Sequence, residues 1–142
     1  MRMNKHNHIN KSTLTSIFIL TRNDLSYTKE CIRSIFQHTT GNSELIMIDN
    51  GSTDGTIQFL KSIPKTKVII NKVNKGFSGG CNQGFNVAKG EFLVLLNNDT
   101  VVTKDWLYKL LKCLNNNSDA GIVGPRSNYI VPQQSVPSVP YK

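Results

Sequence analysis

Two acidic residues stand where apolar stretches of the sequence end, and their positions suggest ligand binding. Asp49 ends the stretch ELIMID, and Asp99 follows the stretch EFLVLL after Asn97 and Asn98. Acidic residues are rarely placed at the ends of buried strands without a partner. The spacing therefore predicts two carboxylates that point into one crevice.

Asp99 is the candidate metal ligand. A hard divalent cation such as Mg²⁺ or Mn²⁺ takes oxygen ligands and often keeps only one or two protein carboxylates, with water and substrate phosphate as the rest. One acid flanked by Asn97 and Asn98 meets that need. The run Asn-Asn-Asp-Thr is equally good turn chemistry, so the residues alone leave both interpretations open.

Asp49 also has two interpretations. Its carboxylate could accept hydrogen bonds from a base or a ribose, or it could form an Asx-turn at Asn50 and Gly51. Asp54 is expected to cap the helix that begins near Gly55 rather than to do chemistry.

Several other site types are excluded by spacing. The glycines between positions 76 and 84 lack the G-x-G-x-x-G spacing of dinucleotide-binding folds, and no P-loop is present. The three cysteines are odd in number and contain no C-x-x-C pair, which argues against a disulfide framework or a zinc site and fits a reducing compartment. Cys31 and Cys113 lie on apolar helix faces, so both are interpreted as small core residues.

The elements that must position these residues alternate regularly. Strands are predicted at 14–21, 44–49, 67–71 and 91–96, with a short last strand at 120–124. Helices are predicted at about 25–38, 55–62 and 104–115, and a further helix follows the glycine-rich stretch 76–80 and ends at about 89. Asn23 or Asp24 can cap the first helix. Continuous apolar strands that alternate with helices are typical of an α/β fold with a mostly parallel, Rossmann-like sheet covered by helices on both faces. Ligands of such sheets bind at the carboxyl ends of the strands, where both candidate acids lie.

The charge balance limits the partners. Seventeen Lys and Arg against nine Asp and Glu give a net charge of +8, which suits an anionic partner. The densest basic stretch, 65–75, resembles a strand with solvated flanks, so no nucleic-acid partner is expected.

No apolar run reaches the roughly 18–20 residues that span a bilayer. The polar segment 1–12 is expected to be a disordered lead without a signal peptide, and we therefore expect a cytoplasmic location.

Three motifs resemble those of the family 2 glycosyltransferases, in the same order and spacing. D-N-G-S-T-D-G-T at 49–56 is similar to the family's V-D-N-G-S-T-D-G-T signature, the segment 74–84 resembles N-x-G-x-x-x-x-x-N-x-G, and L-L-N-N-D-T at 95–100 looks like a variant of D-x-D. The resemblance covers roughly residues 14–128. It implies the A-type glycosyltransferase fold, a nucleoside-diphosphate-sugar donor and a divalent metal on the diphosphate.

The resemblance also implies roles for single residues. Thr21 and Asn23 match first-strand positions near the nucleoside, with Arg22 where the family more often has an aromatic residue. Asp49 matches the acid that hydrogen-bonds the base, and Asp99 matches the metal ligand. The nucleotide-binding residues implied are Thr21, Arg22, Asn23, Asp49, Gly76, Asn97 and Asn98.

The family places its general base downstream of these motifs. We therefore expect 13–128 to be the donor-binding part of a longer enzyme, followed by a proline-rich tail or linker at 129–142, with no catalytic residue in the chain and a base beyond Lys142. The Asn-Asn-Asp variant resembles rhamnosyltransferase relatives, so a dTDP-linked donor competes with a UDP-linked one. We expect the acceptor to be a glycan or glycolipid. We also expect the full-length enzyme to associate with the inner face of the membrane, and the sequence is compatible with a homo-oligomer.

Two other classes of function remain open. A nucleotidyltransferase would share the sheet and the metal, but it usually carries a glycine-rich loop after its first strand, where this chain has Thr-Arg-Asn-Asp at 21–24. A non-catalytic nucleotide-binding or scaffolding module would keep the turns and lose the chemistry.

Overall fold

The computed structural model describes residues 13–126 and has an α/β fold. The elements in chain order are β1 (Thr15–Thr21), α1 (Leu25–His38), β2 (Ser43–Asp49), α2 (Thr56–Ser62), β3 (Thr66–Ile70), α3 (Gly76–Val87), β4 (Phe92–Asn97) and α4 (Trp106–Asn116). The described residues up to Trp106 belong to one compact unit, which holds the whole sheet, and those from Leu107 onward belong to a second.

The sheet is parallel throughout, with the strand order β3-β2-β1-β4. Thr21 pairs with Asp49, and Leu20 pairs with Asn97. The last residues of β1, β2 and β4 therefore lie level with one another at one edge. The predicted parallel sheet is confirmed, and it brings the polar residues after the strands together.

Helices cover both faces of the central strands, as predicted. Phe18 of β1 faces α3, since a Cβ on Gly84 would lie 3.0 Å from its ring and its ring meets that of Phe85 edge-on at 4.8 Å. Thr21 lies three positions after Phe18, so its side chain points to the opposite face of the sheet. Its hydroxyl lies 3.1 Å from that of Thr28 in α1. Because β1 and β2 are covered on both sides, their apolar residues form the core of this unit.

The fourth strand differs from its prediction as a fully buried strand. Its burial alternates, with Leu93 and Leu95 exposed by 46% and 42%. Within residues 13–126, β4 pairs with β1 alone and is therefore an edge strand of the sheet. The strand predicted at 120–124 is also wrong: no strand forms there, and Ile122 is 92% exposed. Glycines at both 121 and 124 weaken a run this short.

A polar cluster ties the amino ends of the strands together. Ser16 Oγ donates to Glu44 Oε1 at 2.6 Å and accepts from Gly90 N–H at 2.8 Å, while Lys89 N–H donates to the same Glu44 oxygen at 2.7 Å. Burial works to raise the pKa of Glu44, but these hydrogen bonds and the Lys67 ammonium at 3.7 Å hold it below its usual range. The cluster fixes where the chain leaves α3 and enters β4.

The cysteines divide into buried and exposed residues. Cys31 is buried as expected, whereas Cys113 is exposed, so its interpretation as a core residue is wrong. None of the helices in the described part of the chain has the length and apolar character needed to cross a membrane. The lead predicted at 1–12 and the tail predicted at 129–142 lie outside the described residues.

Candidate functional site

The candidate site lies at the carboxyl ends of the strands, within the unit that holds the sheet. We call this region the carboxyl edge and define it as residues 21–24, 49–54, 71–76 and 97–99. It contains every residue that the sequence singled out for binding.

Asp49 uses one carboxylate oxygen in a turn and leaves the other without a partner. Its side chain is fully buried, and Oδ1 accepts hydrogen bonds from the N–H groups of Gly51 at 3.0 Å and Ser52 at 2.9 Å. Oδ2 is buried and has no hydrogen-bond partner among the described residues. Buried polar atoms are nearly always paired, and an unpaired acceptor is costly. The Asx-turn therefore forms, and the second carboxylate oxygen is left without a hydrogen bond.

Thr21 and Asn98 are held inside the edge by their own hydrogen bonds. The Asn98 amide donates to the hydroxyls of Thr28 at 3.2 Å and, more weakly, of Thr21 at 3.4 Å. Both hydroxyls are buried and lie 3.1 Å apart. The side chains of these two predicted nucleotide-binding residues thus link β1, α1 and the turn after β4.

Asn23 joins the first loop to the second. Its backbone is left-handed with φ of 60°, a conformation that asparagine tolerates. Its N–H donates to Ser52 Oγ at 2.7 Å, and its Oδ1 accepts from Thr53 N–H at 2.9 Å. Arg22 beside it is exposed. Asn23 therefore shapes the turn that carries Asp49.

The predicted cap of α1 is corrected by the structure. Asp24 stands at the N-cap position in a left-handed conformation without a side-chain cap. The carboxylate of Asp54 supplies it instead, because Oδ2 accepts from Leu25 N–H at 3.0 Å while Oδ1 accepts from the N–H and hydroxyl of Thr56. These hydrogen bonds, led by the Thr56 hydroxyl, hold the pKa of Asp54 below its usual range. Asp54 thus caps α2 as expected and also the start of α1.

A network of side-chain amides, which the sequence analysis did not identify, connects the second loop to the third. Asn50 is buried, and its amide bonds with Asn71, Asn74 and the backbone around Gly76. Asn50 and Asn74 follow predicted strands and Asn71 ends one, and that recurrence is the signal that could have revealed the network. It spans up to 26 positions along the chain, so its bonds depend on where the strand ends meet.

Gly76 is the first residue of α3, and there is free space beside its Cα atom. Its φ is 73°, its N–H donates to Asn74 Oδ1 at 2.9 Å and its carbonyl accepts from Asn50 Nδ2 at 3.0 Å. No atom lies within 4 Å of the position that a Cβ would take. A glycine here combines a positive φ with free space on the side where a Cβ would lie, while its N–H and carbonyl are both hydrogen-bonded.

Asn97 ends β4 and Asp99 lies in the turn that follows, and both residues are exposed. The Asn97 carbonyl accepts from Thr100 N–H at 3.3 Å and from Cys31 Sγ at 3.5 Å, so the chain turns here as the alternative interpretation allowed. Burial raises the pKa of Cys31 to about 11, and the negative charge of Asp99 adds to the increase. The Cys31 thiol is therefore protonated at neutral pH.

The donor set at Asp99 fits a metal that is held mainly by its substrate. Residues 13–126 contain no group of three or more His, Cys, Asp or Glu that could enclose a metal ion. A single exposed carboxylate beside the Asn97 amide suits Mg²⁺ or Mn²⁺, which keep water and phosphate oxygens as their other ligands. The residues present are thus compatible with the predicted metal, with Asp99 as its protein ligand.

The chain is similar to a known family and to known proteins. The model of the family described as Glycosyl transferase family 2 matches residues 16–137. An uncharacterised glycosyltransferase of Haemophilus influenzae is 31% identical over 125 residues, which cover 85% of this chain and 39% of the relative. Glycosyltransferase GlyG of Streptococcus pneumoniae is 27% identical, with coverage of 83% and 40%. The chain therefore spans about two fifths of the length of these relatives.

Solved structures share the fold. TarS 1–349 from S. aureus matches with a TM-score of 0.65 and 24% identity, over 73% of this chain and 33% of that one. The mannosyltransferase PcManGT from Pyrobaculum calidifontis, in complex with GDP-Man and Mn²⁺, matches with a TM-score of 0.62 and 20% identity, over 71% and 32%. The predicted A-type glycosyltransferase fold is thereby confirmed.

Proposed function

Because this chain belongs to glycosyl transferase family 2, we propose that its carboxyl edge binds a nucleoside-diphosphate sugar whose sugar is transferred to an acceptor hydroxyl. The observation that carries the proposal is the buried, unpartnered Oδ2 of Asp49 beside two other strand ends rich in polar groups. The family match supports the reaction type, and the orphaned acceptor supports a ligand that brings its own N–H donor.

The base of the donor is assigned to Asp49. Uracil and thymine both carry an imide N–H between two carbonyls, and Asp49 Oδ2 is an acceptor for that group. The carboxylate is held in place because its other oxygen is fixed by Gly51 and Ser52. We propose a UDP- or dTDP-linked donor because the sequence motifs resemble those of relatives with such donors; guanine also carries N–H donors that suit this acceptor, so GDP is the comparison nucleotide in the test below. TarS, which shares the fold, has been crystallised with UDP-GlcNAc and with UDP.

The diphosphate and the ribose are assigned to the neighbouring strand ends. Asn97 presents an exposed amide, and Gly76 leaves space for a ligand because nothing lies within 4 Å of its Cβ position. Arg22 adds an exposed cation that suits an anionic ligand. Thr21 and Asn98 contribute indirectly, because their side chains are engaged with Thr28 beneath the edge.

Asp99 is the residue that would hold the divalent cation, with Mg²⁺ or Mn²⁺ as the candidates. When bound, such a cation acts as a Lewis acid toward the departing diphosphate. The exposure of Asp99 leaves its carboxylate free to meet a cation that arrives with the nucleotide. The Mn²⁺ in the complex of PcManGT, a protein of the same fold, supports this assignment.

The acceptor half of the reaction is not assigned to any described residue. Direct displacement at the anomeric carbon needs a base that takes the proton of the acceptor hydroxyl. Asp49 is buried in its turn, and Asp99 is assigned to the metal. We propose a glycan or glycolipid as the acceptor class, since its hydroxyl is the nucleophile that such a reaction needs.

Two assays on the purified chain separate this function from its rivals. Calorimetry with UDP, dTDP and GDP, each with Mn²⁺, tests binding, and we expect the uracil and thymine nucleotides to bind more tightly than GDP. Release of nucleoside diphosphate from the matching nucleotide sugars tests glycosyl chemistry. Release of pyrophosphate from a nucleoside triphosphate and a sugar 1-phosphate would instead indicate a nucleotidyltransferase. Absence of nucleotide binding would contradict the proposal.

A further inference from the structure

The side-chain amide of Asn50 uses its full hydrogen-bonding capacity at the carboxyl edge. Its Oδ1 accepts from Asn71 Nδ2 and from Lys75 N–H, both at 3.1 Å. Its Nδ2 donates to Asn74 Oδ1 at 2.7 Å and to the Gly76 carbonyl at 3.0 Å. A primary amide offers two donors and an acceptor with two lone pairs, so all four positions are filled.

A second amide pair supports the first from the side of α3. Asn71 and Gln83 bond reciprocally, with Asn71 Nδ2 donating to Gln83 Oε1 at 2.7 Å and Gln83 Nε2 donating to Asn71 Oδ1 at 3.0 Å. Asn71 is buried and bonds Asn50 as well. The loop after β3 is thereby fixed both to α3 and to the turn after β2.

From this arrangement we infer that Asn50 is a positioning residue that keeps the turn carrying Asp49 and the loop carrying Gly76 at a fixed spacing. The inference rests on the proposed function, in which Asp49 meets the base and Gly76 lies near the diphosphate. Asn50 follows Asp49 directly in the chain and contacts the carbonyl of Gly76. A nucleotide that spans both loops depends on this spacing, because a site is productive only when its groups are held in place.

The chemistry of the position explains why asparagine is required. Aspartate has the same shape but no donor, so it would direct a carboxylate oxygen at the Asn74 Oδ1 atom and the Gly76 carbonyl. Alanine would leave the Lys75 N–H and the Asn71 amide short of one acceptor. Both substitutions break the connection while leaving Asp49 unchanged.

The test compares Asn50→Asp and Asn50→Ala with Asn86→Asp and Asn86→Ala. Asn86 is an exposed asparagine of α3, so it controls for the added charge and for the loss of an amide. Affinity for UDP or dTDP with Mn²⁺ is measured at a temperature where every variant is folded. Hydrogen exchange of the Lys75 and Gly76 amides reports the loop without nucleotide. Asn74→Ala, at an exposed position, removes only the outer part of the network if the Asn50 variants fail to fold.

We expect the Asn50 variants to lose about tenfold in nucleotide affinity and to exchange the Lys75 amide about tenfold faster, the effect of losing a buried hydrogen bond. Asn74→Ala should lose several-fold in affinity, and the Asn86 variants should stay within about twofold of the parent protein. Faster exchange with unchanged affinity in folded Asn50 variants would overturn the inference alone, since Asn50 would then be merely structural. A parent protein that binds no nucleoside diphosphate would overturn the proposed function, and with it this inference.

Discussion

Thr21 and Asp49 lie opposite each other as the last residues of two neighbouring parallel strands, and the N–H of Asn50 donates to the Thr21 carbonyl at 2.8 Å. The register therefore places the first loop and the D-N-G-S turn at the same level. Because Leu20 also pairs with Asn97, the turn after β4 joins them there. Motifs that are far apart in the sequence become one edge through strand register alone.

The two oxygens of Asp49 predict different outcomes for two substitutions. Asp49→Asn keeps a carbonyl oxygen for the turn but replaces the free acceptor with an N–H₂ donor. We expect near-normal stability and a loss of about 1.5–3 kcal/mol in binding of UDP or dTDP, the range for hydrogen bonds to charged groups. Asp49→Ala should lose stability as well, because the N–H groups of Gly51 and Ser52 lose their acceptor. Calorimetry and thermal melting measure the two effects. A stable Asp49→Asn protein with unchanged affinity would restrict Asp49 to its turn.

Glu44 predicts a pH dependence of stability. Its pKa in the folded chain lies below its usual value of 4.5, so its contribution is fully present above about that pH and is lost as the pH falls through the folded pKa. Glu44→Gln should be less stable than the parent at neutral pH, and the difference between the two should shrink under acid. Denaturant titrations from pH 7 down to about pH 3 measure it. A difference that stays constant with pH would contradict the hydrogen-bonded carboxylate described above.

The cysteines predict a graded reactivity toward alkylating reagents. Cys113 is exposed, while Cys31 and Cys81 are buried and burial raises the pKa of both thiols, that of Cys31 to about 11. The thiolate is the reactive form, so Cys113 should react first in the native chain at pH 8, and the other two only after unfolding. Mass spectrometry after timed iodoacetamide labelling checks this, with Cys113→Ser as the control that removes the fast phase. Rapid labelling of Cys31 in the native chain would show that α1 opens readily.

Gly90 predicts a steric requirement at the entrance of β4. A Cβ at this position would clash with the backbone nitrogen of Ser16, which cannot move without shifting β1. Gly90→Ala should cost about 1–3 kcal/mol of stability, as overpacking of a well-packed region does. Gly121→Ala is the matched control, since nothing lies within 4 Å of its Cβ position, and it should change stability by less than about 0.5 kcal/mol. Equal stability of the two variants in denaturant titrations would contradict the close approach.

The sequence predicted the positions of strands and helices better than their burial and tertiary contacts. The four strands and four helices of the described residues occur near their predicted positions, but α3 already begins at Gly76, in the glycine-rich stretch expected to precede it. The exposed face of β4 and the missing strand at 120–124 could not be foreseen, since an apolar run does not reveal whether another element covers it. The cap of α1 by Asp54, 29 residues away, also depends on tertiary structure.

For the candidate site as well, the sequence predicted where residues lie better than what their side chains contact. Positions at strand ends were predictable from the apolar runs before them, and the edge they form is present. The use of each side chain was not: Asn98 turns inward to Thr21 and Thr28, whereas Asn50, absent from the predicted binding set, bonds four groups around itself. Such assignments depend on distances between loops that only the folded chain defines.

The most direct measurement is the affinity of this chain for UDP and dTDP by calorimetry, in Mn²⁺ and in EDTA, for the parent protein and for Asp99→Ala. Asp99 is exposed and contributes little to the core, so the variant should melt at the same temperature as the parent. The account predicts that the parent binds at least one of the two nucleotides in Mn²⁺ and loses most of that affinity in EDTA, while Asp99→Ala binds weakly in both buffers. Equal binding by the parent in Mn²⁺ and EDTA, or undiminished binding by folded Asp99→Ala, would contradict the metal-assisted nucleotide site at the carboxyl edge.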